Sequence, residues 1–133
     1  MPPERIEPEK LVHRADFLAA NRGLRVARPG FVLLAAPSRN GATRYGITVT
    51  KTIGGAVVRN RMKRRLRVLL REILPEHGLP ATDHVLIGRL GGIERDFALL
   101  RQELVAALTR AREGKGDKPR PPRSGPRAKK PRR

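Results

Sequence analysis

From Ala56 to Ile73 the apolar residues recur at helical spacing. Val58, Met62, Leu66, Leu69 and Ile73 fall on one stripe when the segment is wound as a helix. Asn60, Arg64, Arg67 and Arg71 follow the same spacing on roughly the opposite side, flanked by Arg59, Arg61 and Lys63. Seven Lys or Arg stand between Ala56 and Glu72, with no acid among them. A soluble helix needs one face for a core and normally mixes both signs of charge on the other. The chain must therefore bury the stripe against a sheet or another helix and leave a concentrated positive arc facing outward. Two readings of the arc stay open, a merely solvated basic face and a surface for a polyanion. Asn60 favours the second: Asn is a mediocre helix-interior residue, but between arginines it adds an amide donor and acceptor to guanidinium forks.

The segments around this helix predict a small α+β domain. Leu11 to Asn21 has a helical pattern ended by Arg22-Gly23, and Leu24 to Ala27 fits a short strand. Phe31 to Ala36 is an apolar run bounded by Gly30 and Pro37, as expected for a buried strand. Asn40-Gly41 marks a turn and Tyr45 to Thr50 a return strand, so residues 31–50 are expected to form an antiparallel hairpin. Lys51 to Gly55 then leads into the basic helix. Its glycines suit either a tight strand-to-helix turn or a phosphate seat at the helix start, beside the charge of Lys51. Pro75 and Gly78-Leu79-Pro80 are expected to close the helix. Asp83 to Leu90 reads as a further strand, and Asp96 to Arg112 as an amphipathic packing helix carrying Phe97, Leu100, Leu104 and Leu108.

Composition narrows the partners. The 133 residues hold 30 Lys and Arg against 12 acids, a formal charge of +18, which predicts attraction to nucleic acid or an anionic surface. Residues 113–133 carry nine Lys or Arg against Glu113 and Asp117 and no large apolar residue, so a disordered basic tail is expected there. Residues 1–112 keep a net +11, so the expected folded part, residues 10–112, is itself basic. Residues 1–9, rich in Pro and Glu, are expected to be flexible. No apolar run approaches the roughly 20 residues needed to cross a bilayer, and the opening MPPERIEPEK has no signal-like apolar core. The absence of cysteine fits a reducing cytoplasm.

Gly46-Ile47-Thr48-Val49-Thr50-Lys51, then Gly54, then Ala56-Val57-Val58-Arg59-Asn60-Arg61-Met62-Lys63-Arg64-Arg65-Leu66-Arg67, resembles the signature of the bacterial ribonuclease P protein subunit. The similarity is collinear from about Leu11 to Leu108. Thr52 stands where the family usually has a second basic residue, and Gly55 where it usually has Asn. The resemblance implies a small sandwich like the second domain of ribosomal protein S5, with a left-handed βαβ crossover where a right-handed one is the rule. It also implies an RNA partner with which the protein removes the 5′ leader of precursor tRNA. Arg59, Asn60, Arg61, Lys63, Arg64, Arg65, Arg67 and Arg71 would face that RNA. Phe17, Asn21, Leu34, Thr50 and Lys51 would belong to a cleft for the leader. On the sequence alone Phe17 reads as a core residue; the cleft role comes from the resemblance. Asn21 and Leu34 stand where the family often has aromatics, so stacking there is expected to be poorer.

Chemistry in the polypeptide itself is not expected. A metal-dependent nuclease needs clustered carboxylates, and the acids here are scattered; Glu94 and Asp96 make ordinary sense at the start of a helix. His13, His77 and His84 lack ligand spacing, and His13 and His84 are expected at the surface or core edge rather than as a general-acid pair. No serine has an evident base. The family implication is catalysis by the RNA subunit, Mg2+ held by RNA and no cofactor on the protein, with one protein per RNA, a cytoplasmic location and no membrane. A ribosomal or other structural RNA-binding protein is the alternative that composition alone allows.

Overall fold

A computed structural model describes residues 8–116. The elements are β1 (Glu9–Lys10), α1 (Arg14–Ala20), β2 (Leu24–Ala27), β3 (Phe31–Pro37), β4 (Arg44–Thr48), α2 (Ala56–His77), β5 (Thr82–Gly88) and α3 (Phe97–Arg112), with single 3-10 turns at Lys51–Ile53 and Leu90–Gly92. One five-stranded mixed sheet has the order β1-β4-β5-β3-β2. The sheet takes in Glu9, whose N–H donates to the Thr43 carbonyl at 2.8 Å. Residues 1–7 and 117–133 lie outside the described residues, and with them most of the expected flexible N-terminus and basic tail.

The expected hairpin over residues 31–50 does not form. β5 lies between β3 and β4, antiparallel to β3 from Phe31↔Gly88 to Pro37↔Thr82 and parallel to β4 from Arg44↔Asp83 to Thr48↔Ile87. The reason is burial on both faces: Phe31 to Ala36 are all buried, so β3 needs paired neighbours on both edges, and the Val85-Leu86-Ile87 run supplies one of them. Asn40-Gly41 sits instead in a connection that passes the start of β5, where the Ser38 N–H donates to Ala81 O at 2.9 Å. The true hairpin is β2–β3, turning at Arg28–Gly30. Parallel β4 and β5, adjacent and joined through α2, make the βαβ crossover.

Alternation along the strands divides the core. Phe31, Leu33, Ala35 and Leu86 pack with α2 and α3, whereas Val32, Leu34, Ala36 and Val85 pack with Leu11 and Ala20 on the α1 side. Helix α2 buries Met62, Leu66, Leu69, Leu70, Ile73 and Leu74. At about 1.5–3 kcal/mol per buried side chain, this outweighs like-charge neighbours such as Lys63–Arg67 and Arg67–Arg71, each costing only about 0.2–0.5 kcal/mol. The helix also continues past Pro75, against the expected stop there. Proline cannot donate to the Arg71 carbonyl, but Arg71 is exposed and solvent can take that bond. The end is tied instead by Gly78 N–H to Leu74 O at 2.8 Å and by Arg112 Nη2 to His77 O at 3.0 Å.

Candidate nucleic-acid interface

On the outer arc of α2, Asn60, Arg61, Arg64, Arg67 and Arg71 are exposed, while Arg59 and Lys63 are half-buried at its margin. Arg61 of this arc meets the Glu94 carboxylate at 3.6 Å, with both groups solvated. Such a contact stabilises little, so the arc keeps its charge for another partner. Arg65 is placed differently. It turns toward α3, donates to the Arg95 carbonyl and lies 5.8 Å from the centre of the Phe97 ring. At the helix start, Gly54 has φ 150°, a conformation that favours glycine, and the N-cap Gly55 offers no side-chain acceptor to the first-turn N–H groups. Thr50 and Lys51 are exposed beside that start.

A second concavity, about 470 Å³, lies on the opposite face of the sheet. Arg14, Phe17, Leu18 and Asn21 line it from the α1 side, and Leu34, Thr48, Val85 and Ile87 make its floor. Phe17, Asn21 and Leu34, which the resemblance assigns to one cleft, all line this cavity; Thr50 and Lys51 do not, and Thr50 stands two residues beyond Thr48. Arg14 and Leu18 were legible in principle, because 14, 17, 18 and 21 follow the spacing of one helix face. Val85 and Ile87 depend on strand register, which the sequence does not give. Phe17 is half-buried and joins both readings. Its ring rests on bare backbone: a Cβ at Gly46 would lie 2.5 Å from Phe17 Cε1. One part of the ring packs on Gly46 and another lines the cleft.

Ion pairs to the buried Asp16 and Asp83 carboxylates hold α1 above this floor. The Asp16 carboxylate accepts from Arg39 Nε at 2.8 Å and Nη2 at 3.1 Å and lies 3.3 Å from Arg44 Nη2. Arg44 in turn donates to Asp83 through Nε at 2.7 Å and Nη2 at 2.9 Å, a bidentate pair fixed by the Arg44↔Asp83 register. The Arg39 hydrogen bond holds the Asp16 carboxyl below its ordinary range; burial opposes this and Arg44 reinforces it. His84 is fully buried rather than at the core edge, with Nε2 accepting the Leu79 N–H at 3.0 Å and Nδ1 placed to donate to Arg44 O at 3.0 Å. Burial pushes its pKa down, so it is neutral and structural. Among the described residues no group of three or more His, Cys, Asp or Glu is placed to hold a metal ion. No helix there is long and apolar enough to cross a membrane.

The family model described as Ribonuclease P matches residues 7–112. A ribonuclease P protein component from Erythrobacter litoralis (strain HTCC2594) is 71% identical over 111 residues, covering 84% of this chain and 92% of its own. One from Paramagnetospirillum magneticum (strain ATCC 700264 / AMB-1) is 42% identical over 108 residues, 77% of this chain and 81% of the relative. Among solved structures, the RNase P protein of Thermotoga maritima is similar with a TM-score of 0.66 at 30% identity, over 77% of this chain and 96% of that one. The Staphylococcus aureus RNase P protein gives a TM-score of 0.65 at 27% identity, over 79% of this chain and 96% of that one.

Proposed function

The chain belongs to the ribonuclease P protein family, and from that premise we propose how its two surfaces divide the work of leader removal. It is an RNA-binding component of a ribonuclease in tRNA processing, and its partner is the ribonuclease P RNA. The outer arc of α2, with Arg59, Asn60, Arg61, Lys63, Arg64, Arg67 and Arg71, lies against that RNA. Arg65 supports the arc from its α3 side. The observation that carries this is the exposed, almost acid-free row of basic residues on a helix whose other face is fully committed to the core. Folded RNA crowds phosphates at a repulsive cost, which such a row offsets while releasing counterions.

The cleft between α1 and the sheet holds the single-stranded 5′ leader of precursor tRNA. Phe17 is its stacking surface, and Thr50 and Lys51 lead from its floor toward the start of α2. The bond is broken by the RNA subunit with Mg2+ held on RNA; the polypeptide positions both RNAs and carries no cofactor. One protein serves one RNA, in the cytoplasm. Cleavage of a precursor tRNA at low magnesium tests this. Product should appear only with the RNA subunit present, and the protein should raise the rate. Cleavage by RNA-free protein would overturn the division of labour.

A further inference from the structure

The floor of the cleft extends beyond the residues that line its deepest part. On β2, Arg25 is the direct partner of Leu34, which pairs with Val85, which pairs with Gly46. Directly paired residues point to the same face of a sheet, so Arg25 stands on the cleft face at the β2 edge. On β5 the backbone stays extended through Arg89 (φ −120°, ψ 155°), which places Arg89 on the face of Ile87, two residues earlier. Arg14 lines the α1 side. An apolar floor is therefore bordered on three sides by arginine. None of the three pairs with a carboxylate among the described residues, and of the three only Arg89 makes a side-chain hydrogen bond there, Nη1 to Arg28 O at 3.0 Å.

We infer that Arg14, Arg25 and Arg89 form a phosphate-holding rim, so that the cleft grips a single strand mainly by its backbone. The inference rests on the cleft being the leader site and specifies how that site binds. Asn21 and Leu34 offer no aromatic ring, so beyond Phe17 the floor gives bases apolar contact without stacking. Guanidinium groups supply what the floor lacks, with fork geometry suited to phosphate oxygens. Arg25 and Arg89 are two strands and four residues apart, about 16 Å between α-carbons at ordinary sheet spacings, far enough to engage different phosphates. Their contributions should then add, and leader recognition should be unusually sensitive to salt.

The test is binding of a leader-bearing precursor tRNA and of mature tRNA to the reconstituted holoenzyme across a salt series. The difference between the two salt slopes is the leader term. Arg25→Ala and Arg89→Ala should each lower it by about 0.7 and the double variant by about 1.4, the value for phosphate contacts on a single strand. Mature-tRNA binding and RNA-subunit affinity should not change, and Arg25→Lys should keep the slope. Because Arg89 also holds the Arg28 carbonyl, melting curves accompany each variant, and Arg25→Ala alone decides if Arg89→Ala is unstable. An unchanged leader term in a folded Arg25→Ala protein overturns the rim, as does an equal loss on mature tRNA. Phe17→Ala run alongside separates the two claims: if it alone removes leader discrimination, the cleft stands and the rim falls. A wild-type enzyme with no leader term would remove both.

Discussion

Phe17 shows how one side chain serves packing and recognition together. Its ring lies on Gly46 because glycine leaves the backbone bare; Gly46→Ala would put a methyl 2.5 Å from the ring edge and push it off its seat. That variant should weaken leader-bearing precursor tRNA, as Phe17→Ala should, by roughly the 1–3 kcal/mol of one stacked base, with mature tRNA bound as before. Equal losses for both tRNAs, with the roughly 3–5 kcal/mol destabilisation of a truncated core Phe, would instead make the ring purely structural. Buried titrating groups add a pH dependence of known sign. His84 has a depressed pKa in the fold, so its contribution is complete above its ordinary value of 6.5 and is lost as pH falls below it. Asp16, also depressed, gives way only below its ordinary 3.8. Urea midpoints should therefore fall in two stages on acidification, and His84→Gln, less stable at neutral pH, should flatten the first.

At the scale of elements, α2 separates binding from folding along its circumference. Arg64→Ala and Arg67→Ala remove exposed side chains with no partner among the described residues, so melting should be unchanged. Affinity for the RNA subunit should drop, with the salt slope reduced by about 0.9 per lost duplex-like contact. Arg65→Ala should do the reverse, lowering the melting temperature through its contacts to Phe97 and Arg95. Calorimetry and salt-dependent binding on the three variants check the contrast. The stripe and arc of α2 were legible in the sequence because helical spacing is a local property, and so were the ranges of β2, β3, β5 and α3. Strand partners were not. Asn40-Gly41 between apolar runs is a strong hairpin signal, yet double-sided burial of β3 overrode it and brought in a strand from residues 82–88. The Asp16–Arg44–Asp83 pairs escaped for the same reason, since they depend on that register. The helix-side wall of the cleft was half legible, and its floor was not.

For the molecule as a whole, the few acids are disposed so that positive charge remains outside. Asp16, Asp83 and Glu103 are held by Arg39, Arg44 and Arg95, none of them on α2, and Glu72 of α2 lies 3.5 Å from Arg101 of α3. Deleting residues 117–133, beyond the end of α3 at Arg112 and beyond the family match, should leave the melting temperature nearly unchanged. Their eight Lys and Arg should matter only for RNA attraction at low salt. A large loss of melting temperature would place part of the fold in that segment. The position of β5 bears on how the protein is made. Among the described residues it is the last strand in sequence, yet it sits at the centre of the sheet, so on the ribosome β3 and β4 emerge with no shared neighbour. The sheet cannot close until residues 82–88 have left the exit tunnel, after the entire basic helix. Closure across such a separation slows folding, and a nascent chain stopped near residue 80 should be protease-sensitive. A stable core in that truncated chain would mean that its first strands pair without their centre.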